Sequence, residues 1–172
     1  KLLQADEETV ERIRLDLGDR EFEFGKSGES DWSILEPQAL RADNFTVGDL
    51  ARSLRTAEMT TVVEEDAPSF DRPLARAVIV DADGEHELTL VKDADRYLAR
   101  SSDQDGIYEV SATLAESLDK SLEDFRQKKL FDFGFAPLAK LTIRSGETSA
   151  TLEKDEGAWK LASEGGREVS AE

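Results

Sequence analysis

The sequence predicts an α+β fold of tandem antiparallel β-meander units, each followed by a helix, with the third unit incomplete. Two observations carry this. Stretches of period-2 alternation are separated by short Gly/Asp turns, and the pattern "strand, Lys, polar turn, aromatic" recurs three times, in "FEFGKSGESDWSIL", "LTLVKDADRYLA" and "ATLEKDEGAWKL". Lys26, Lys92 and Lys154 close the second strand of each pass at intervals of 66 and 62 residues, and Trp32, Tyr97 and Trp159 follow at 65 and 62. A period of this size is that of a repeated supersecondary unit.

In the first unit, Val10, Ile13, Leu15 and Leu17 alternate with one slip, and Phe22 and Phe24 continue across the turn "GDRE" as a hairpin. Trp32 and Ile34 form a third strand. Asp43 or Asn44 is placed to cap a helix whose apolar residues Val47, Leu50, Ala51 and Leu54 fall at i, i+3, i+4 and i+7. After the acidic connector "VVEEDAPSFDRP", the second unit runs through Val78 and Val80, Leu88 and Leu90, and Tyr97 and Ala99, with an additional strand at "IYEV". Thr113 and Glu116 have capping-box spacing, and Leu114, Leu118, Leu122 and Phe125 make one helical stripe. The third pass uses Leu141, Ile143, Ala150, Leu152, Trp159 and Leu161, and its helix is expected to begin near "REVSAE". The resulting division is 1–61, first meander and helix; 62–73, connector; 74–130, second unit; 131–172, partial third unit.

Composition narrows the function. With 39 acidic and 22 basic residues the net charge is −17, and no basic stripe interrupts it, so nucleic acid and anionic membrane surfaces are disfavoured as partners. The absence of Cys removes disulfides and thiolate chemistry. No apolar run reaches the roughly 20 residues of a membrane-spanning helix. The chain opens at Lys1 and is expected to be the soluble part of something longer.

Candidate sites reduce to ordinary structure. "DADG" (Asp81, Asp83, Gly84) and "DQDG" (Asp103, Asp105, Gly106) open like calcium loops but lack the distal Glu, and Asp-Gly is itself favoured turn chemistry, so both are expected to be plain turns. His86, the only His, is expected to face outward between Glu85 and Glu87 on a strand. Trp32, Tyr97 and Trp159 are expected to cover the sheet rather than to stack on a ligand. No catalytic, cofactor-binding or metal-ligating residue is assigned, and no cofactor is expected.

The stretches "VERIRL", "DWSILEP", "RADNFTVGDLARSL", "DFRQKKLFDF" and "AKLTI…ATLEKDEGAWKL" resemble the bacterial domain-of-unknown-function family numbered 4340. The resemblance extends over nearly the whole chain, although "SFDRP" replaces the Gly-Leu-x-x-Pro usual in the connector. It implies a body outside the cytoplasm, on the periplasmic side, held by an N-terminal anchor that this segment lacks. It also implies association with auxiliary components of ABC-type transporters, and supplies no catalytic residues. The expected function is therefore a non-enzymatic extracytoplasmic binding or scaffolding module with a protein partner in a membrane assembly. The alternatives are a cell-envelope polymer-binding domain with Trp32 or Trp159 as platform, and a hydrolase whose carboxylates converge only on folding.

Overall fold

The computed structural model describes residues 1–28, 31–63, 68–129, 138–155 and 157–162. Part of the connector (64–67), the "LFDF" end of one family stretch and the "REVSAE" segment expected to open a third helix lie outside the described residues. The chain divides into two units, Lys1–Lys128 and Lys129–Glu172. Strands hold 46% of the described residues and helices 16%, so the architecture is antiparallel sheet with a few short helices.

The first unit contains β1 (Arg12–Asp16), β2 (Glu21–Ser27), β3 (Asp31–Glu36), β4 (Leu40–Arg41), α1 (Asn44–Arg55), β5 (Thr61–Val62), β6 (Ala75–Asp81), β7 (Gly84–Asp93), β8 (Arg96–Ser101), β9 (Tyr108–Val110), α2 (Ala112–Leu118) and α3 (Leu122–Phe125). The two meanders expected as separate units are joined: β1 pairs antiparallel with β6, giving one nine-stranded sheet in the order β4-β3-β2-β1-β6-β7-β8-β9-β5. The reason is that a three-stranded meander leaves an unpaired edge and one open face, and edge-to-edge pairing removes both edges at the join. The two-residue strands β4 and β5, unannounced by any alternation, finish the sheet on either side.

One face of this sheet is the core. Ile13, Leu15, Phe22, Phe24, Ile34, Ala77, Ile79, Leu88, Leu90 and Ala99 are buried there, against Val47, Leu50, Leu54, Leu114, Leu118 and Phe125 from the helices. Leu2 and Leu3, from a segment without periodicity, are also fully buried in it. On the other face Arg12 pairs with Glu23, Arg14 with Glu85, and Arg76 with Glu87. Val78 of β6 lies on this second face and is nevertheless buried, because β6 is flanked by β1 and β7 on its two sides.

The helix α1 follows the sequence closely. Asp43 caps it, accepting from the Thr46 amide at 2.9 Å and the Thr46 hydroxyl at 3.0 Å. Asn44 fastens the helix to β3 by accepting from Trp32 N–H (2.8 Å) and donating to Asp31 (3.0 Å). Replacing Asp43 by Ala is expected to cost about 1 kcal/mol in urea unfolding, the usual worth of an N-cap.

The single helix expected from Thr113 onward is two. Ser111, not Thr113, caps α2, and the capping box belongs to Ser121 and Asp124 at the start of α3. The chain breaks at Asp119 and Lys120, where the Arg20 guanidinium donates to the Lys120 carbonyl (3.1 Å) and to Asp119 (2.7 Å), supplying partners that a continuous helix would not need.

In the second unit, β10 (Lys140–Ser145), β11 (Thr148–Asp155) and β12 (Ala158–Leu161) form a three-stranded antiparallel sheet. Its pairs Leu141 with Leu152, Ile143 with Ala150, and Leu152 with Leu161 gather apolar side chains on one face, and none of its described residues is fully buried. Across both units the recurring Lys stands directly opposite the recurring aromatic: Lys26 with Trp32, Lys92 with Tyr97, Lys154 with Trp159.

Candidate functional site

Period-2 geometry decides where His86 points. Leu88 and Leu90 face the core, so His86, two residues before Leu88 on the same strand, shares their face, and Glu85 and Glu87 take the other. The outward placement expected for His86 is therefore corrected: its side chain is 13% exposed and lies between two carboxylates. Nδ1 is 2.7 Å from Asp103 Oδ2 and Nε2 is 3.2 Å from Asp81 Oδ1.

The two Asp-x-Asp-Gly stretches bring these carboxylates in. At the first, Asp81 Oδ1 accepts from the amides of Asp83 (2.9 Å) and Gly84 (3.1 Å), which closes the β6–β7 turn. Gly84 has φ 138°, a conformation that a side chain resists. At the second, Asp105 uses its carbonyl to accept from the Tyr108 hydroxyl (2.6 Å), and Gly106 (φ 117°) lies against that ring, where a Cβ would sit 3.4 Å from the hydroxyl oxygen. Both stretches are turns, and in each the first Asp is turned toward His86.

The remaining carboxylate capacity is also used. Asp81 Oδ2 accepts from Asp6 N–H (2.7 Å), and Asp103 Oδ2 accepts from Gln4 N–H (2.7 Å). Asp103 Oδ1 accepts from the Ser102 hydroxyl at 2.8 Å. Burial pushes the Asp81 carboxyl up, but the amide bonds from Asp6 and Asp83 and the charge of His86 outweigh it, and the net shift is downward. Asp103 behaves alike, burial being outweighed by Gln4, Ser102 and His86. For His86, burial opposes the charge, yet hydrogen bonds to Asp103 and Asp81 raise its pKa above the ordinary imidazole value.

Chemically this is an ion-pair clasp. Ser101 and Ser102 lie beside it, but the Ser101 hydroxyl donates to the Leu2 carbonyl and the Ser102 hydroxyl to Asp103, so their protons are directed away from the ring. With His86 standing between Asp81 and Asp103, the two carboxylates do not converge on a common point, and no group of three metal-ligating side chains occurs among the described residues. Added calcium is expected to leave the thermal midpoint unchanged relative to NaCl of matched ionic strength, because the carboxylate oxygens already serve amides, a hydroxyl and the imidazole; a saturable rise would contradict this use of them.

Residues 32–172 match the model of the family described as Domain of unknown function (DUF4340). The chain belongs to the DUF4340 family. Neither comparison with curated proteins nor comparison with solved structures gives a match. In this DUF4340 chain the "ADN" lead-in is structural: Ala42 donates its amide to the Trp32 carbonyl, Asp43 caps and Asn44 ties β3 to α1. Of the aromatics, Trp32 is buried in the core, Tyr97 is half-buried under Lys92, whose Nζ is 5.5 Å from the ring centroid, and Trp159 is half-buried in the second unit. The structure thus brings together His86, Asp81 and Asp103, which no sequence motif joined. The available signal was the parity of His86 with Leu88 and Leu90.

Among the clefts, one of about 950 Å³ is lined by Glu7, Glu8, Glu11, Arg12, Lys26 and their neighbours. It is a polar surface trough and does not include His86. No helix among the described residues is long and apolar enough to cross a membrane.

Proposed function

We propose that this DUF4340 chain is a non-enzymatic binding or scaffolding module on the extracytoplasmic side of the membrane, within a membrane-anchored protein that serves an ABC-type transporter assembly. The observation that carries the non-enzymatic part is the engagement of His86: both ring nitrogens face carboxylates, so the one imidazole of the chain offers no free lone pair to a substrate proton. Location and partner follow from the family resemblance alone. The finer architectural reading, a meander repeated three times at 1–61, 74–130 and 131–172, is supported by the three Lys–aromatic oppositions.

The test is fractionation and affinity capture of the full-length membrane form. The protein is expected in the membrane fraction, digestible by protease added outside the inner membrane, and in stoichiometric complex with a transporter component. Recovery as a free cytosolic monomer would reject the reading.

A second reading, a cell-envelope polymer-binding domain, is favoured by the half-buried Trp159 beside Lys154 on the apolar face of β10–β12. A saturable change of tryptophan fluorescence on adding soluble envelope polysaccharide, lost in Trp159→Ala, would select it over the scaffold.

A further inference from the structure

The first residues of the chain are held without a strand partner. Leu2 N–H donates to the Ala57 carbonyl, Gln4 N–H to Asp103 and Asp6 N–H to Asp81, so alternate amides are fixed as they would be in a sheet. Two side-chain carboxylates stand where the carbonyls of a neighbouring strand would be, and His86 is the cation between them. A neutral imidazole has one N–H and one lone pair. With carboxylate oxygens at 2.7 Å and 3.2 Å from its two nitrogens, a neutral His86 would set that lone pair against an anion, whereas the imidazolium donates to both.

The groups facing the ring come from three places. They are Asp81 at the end of β6, Asp103 with Ser101 and Ser102 at and just after the end of β8, and the N-terminal segment, where Asp6 uses its own carboxylate to accept from Glu8 N–H. On β7 itself, Glu85 and Glu87 are on the opposite face, paired with Arg14 and Arg76. The neighbouring Glu7 is paired with Arg55 at 2.7 Å.

We propose that His86 is a proton-operated clasp for the N-terminal segment: protonated, it bridges Asp81 and Asp103 and holds their oxygens on the amides of Asp6 and Gln4; deprotonated, it releases those amides. Loss of the proton leaves two carboxylates flanking a neutral ring. Their repulsion is relieved as both turn from the ring, which takes the acceptors away from Gln4 and Asp6. Leu2 and Leu3 remain buried, so the opening is local to the stretch that follows them. The inference stands on this geometry and is independent of the scaffold reading, which fractionation tests separately.

The experiment is NMR on the whole chain from about pH 5.5 to about pH 8.5, spanning the ordinary His pKa. The imidazole ¹⁵N shifts of His86 are followed together with hydrogen exchange at the Gln4 and Asp6 amides, normalised to intrinsic rates. The expected result is an imidazolium at pH 6 with a midpoint above the ordinary value. Protection of both amides falls about tenfold or more across that titration, as for a local opening well below the global one, while the amides of Ile79 and Leu88 stay protected. His86→Gln is expected to show low, pH-independent protection at Gln4 and Asp6; should it fail to fold, the titration of the unaltered protein decides alone. A neutral ring at pH 6, or protection that does not change as His86 titrates, overturns the proposal.

Discussion

Replacing Phe125 by alanine is expected to lower the unfolding free energy of residues 1–128 by about 3–5 kcal/mol, the range for a large aromatic removed from a core. Phe125 is fully buried and sits edge-on to Phe22 (5.3 Å between centroids) and Phe24 (4.8 Å), so deletion removes its own burial and two ring contacts. The surroundings have little freedom to collapse. Phe22 and Phe24 are fixed by β2, and α3 is only four residues long, pinned at its end by the Asp43 amide donating to the Phe125 carbonyl at 2.7 Å. Urea titration measures the loss, and Phe125→Leu should recover part of it. A cost below 1 kcal/mol for the alanine variant would mean that α3 is not integral to the core.

Asp81→Asn should be nearly as costly, about 3–5 kcal/mol, as for breaking one side of a buried ion pair. The Asp81 side chain is wholly buried and accepts from three amides and from His86. An amide in its place turns one acceptor into a donor facing other donors. The pH dependence follows from the same groups. Asp81 and Asp103 have lowered pKa values, so their stabilisation is present above the unfolded carboxylate value near 3.9 and is lost as pH falls through the folded values. His86 is raised, so its contribution is complete below the unfolded value near 6.5 and is lost as pH rises through the folded value. Stability from this cluster therefore peaks between about pH 4 and about pH 6.5. Denaturation midpoints across that range should fall on both sides, and in Asp81→Asn the alkaline fall should be weakened because one of the two anions that hold the proton is gone.

What was legible in the sequence was local. Alternation placed the hairpin strands, the i, i+3, i+4, i+7 spacing placed α1, and Asp43 announced its cap. The recurring Lys and aromatic pairs stand opposite each other in the structure because each turn fixes the cross-strand register of its hairpin, although the first turn is one residue longer than the other two. Three things escaped for physical reasons. The union of the two meanders is a pairing of β1 with β6, far apart in sequence, which no periodicity encodes. The division between α2 and α3 depends on Arg20 reaching the Lys120 carbonyl from a distant turn. His86 was read from its flanking glutamates rather than from its parity with Leu88, and its partners Asp81 and Asp103 meet it only through folding.

The length of the outermost strands bears on how this protein behaves when crowded. In the first unit both borders of the sheet, β4 and β5, are two residues long, and so short a row of free amides and carbonyls gives another chain almost nothing to zip onto. In the second unit β10 offers six residues and β12 four, and Ile143 is 52% exposed. Lys140 and Arg144 along β10 and the net charge of −17 act against stacking. Raising the salt concentration screens that repulsion within a few ångströms. Precipitation or fibre formation in concentrated, salty solution should therefore nucleate at residues 140–161, leaving the larger sheet folded within the aggregate.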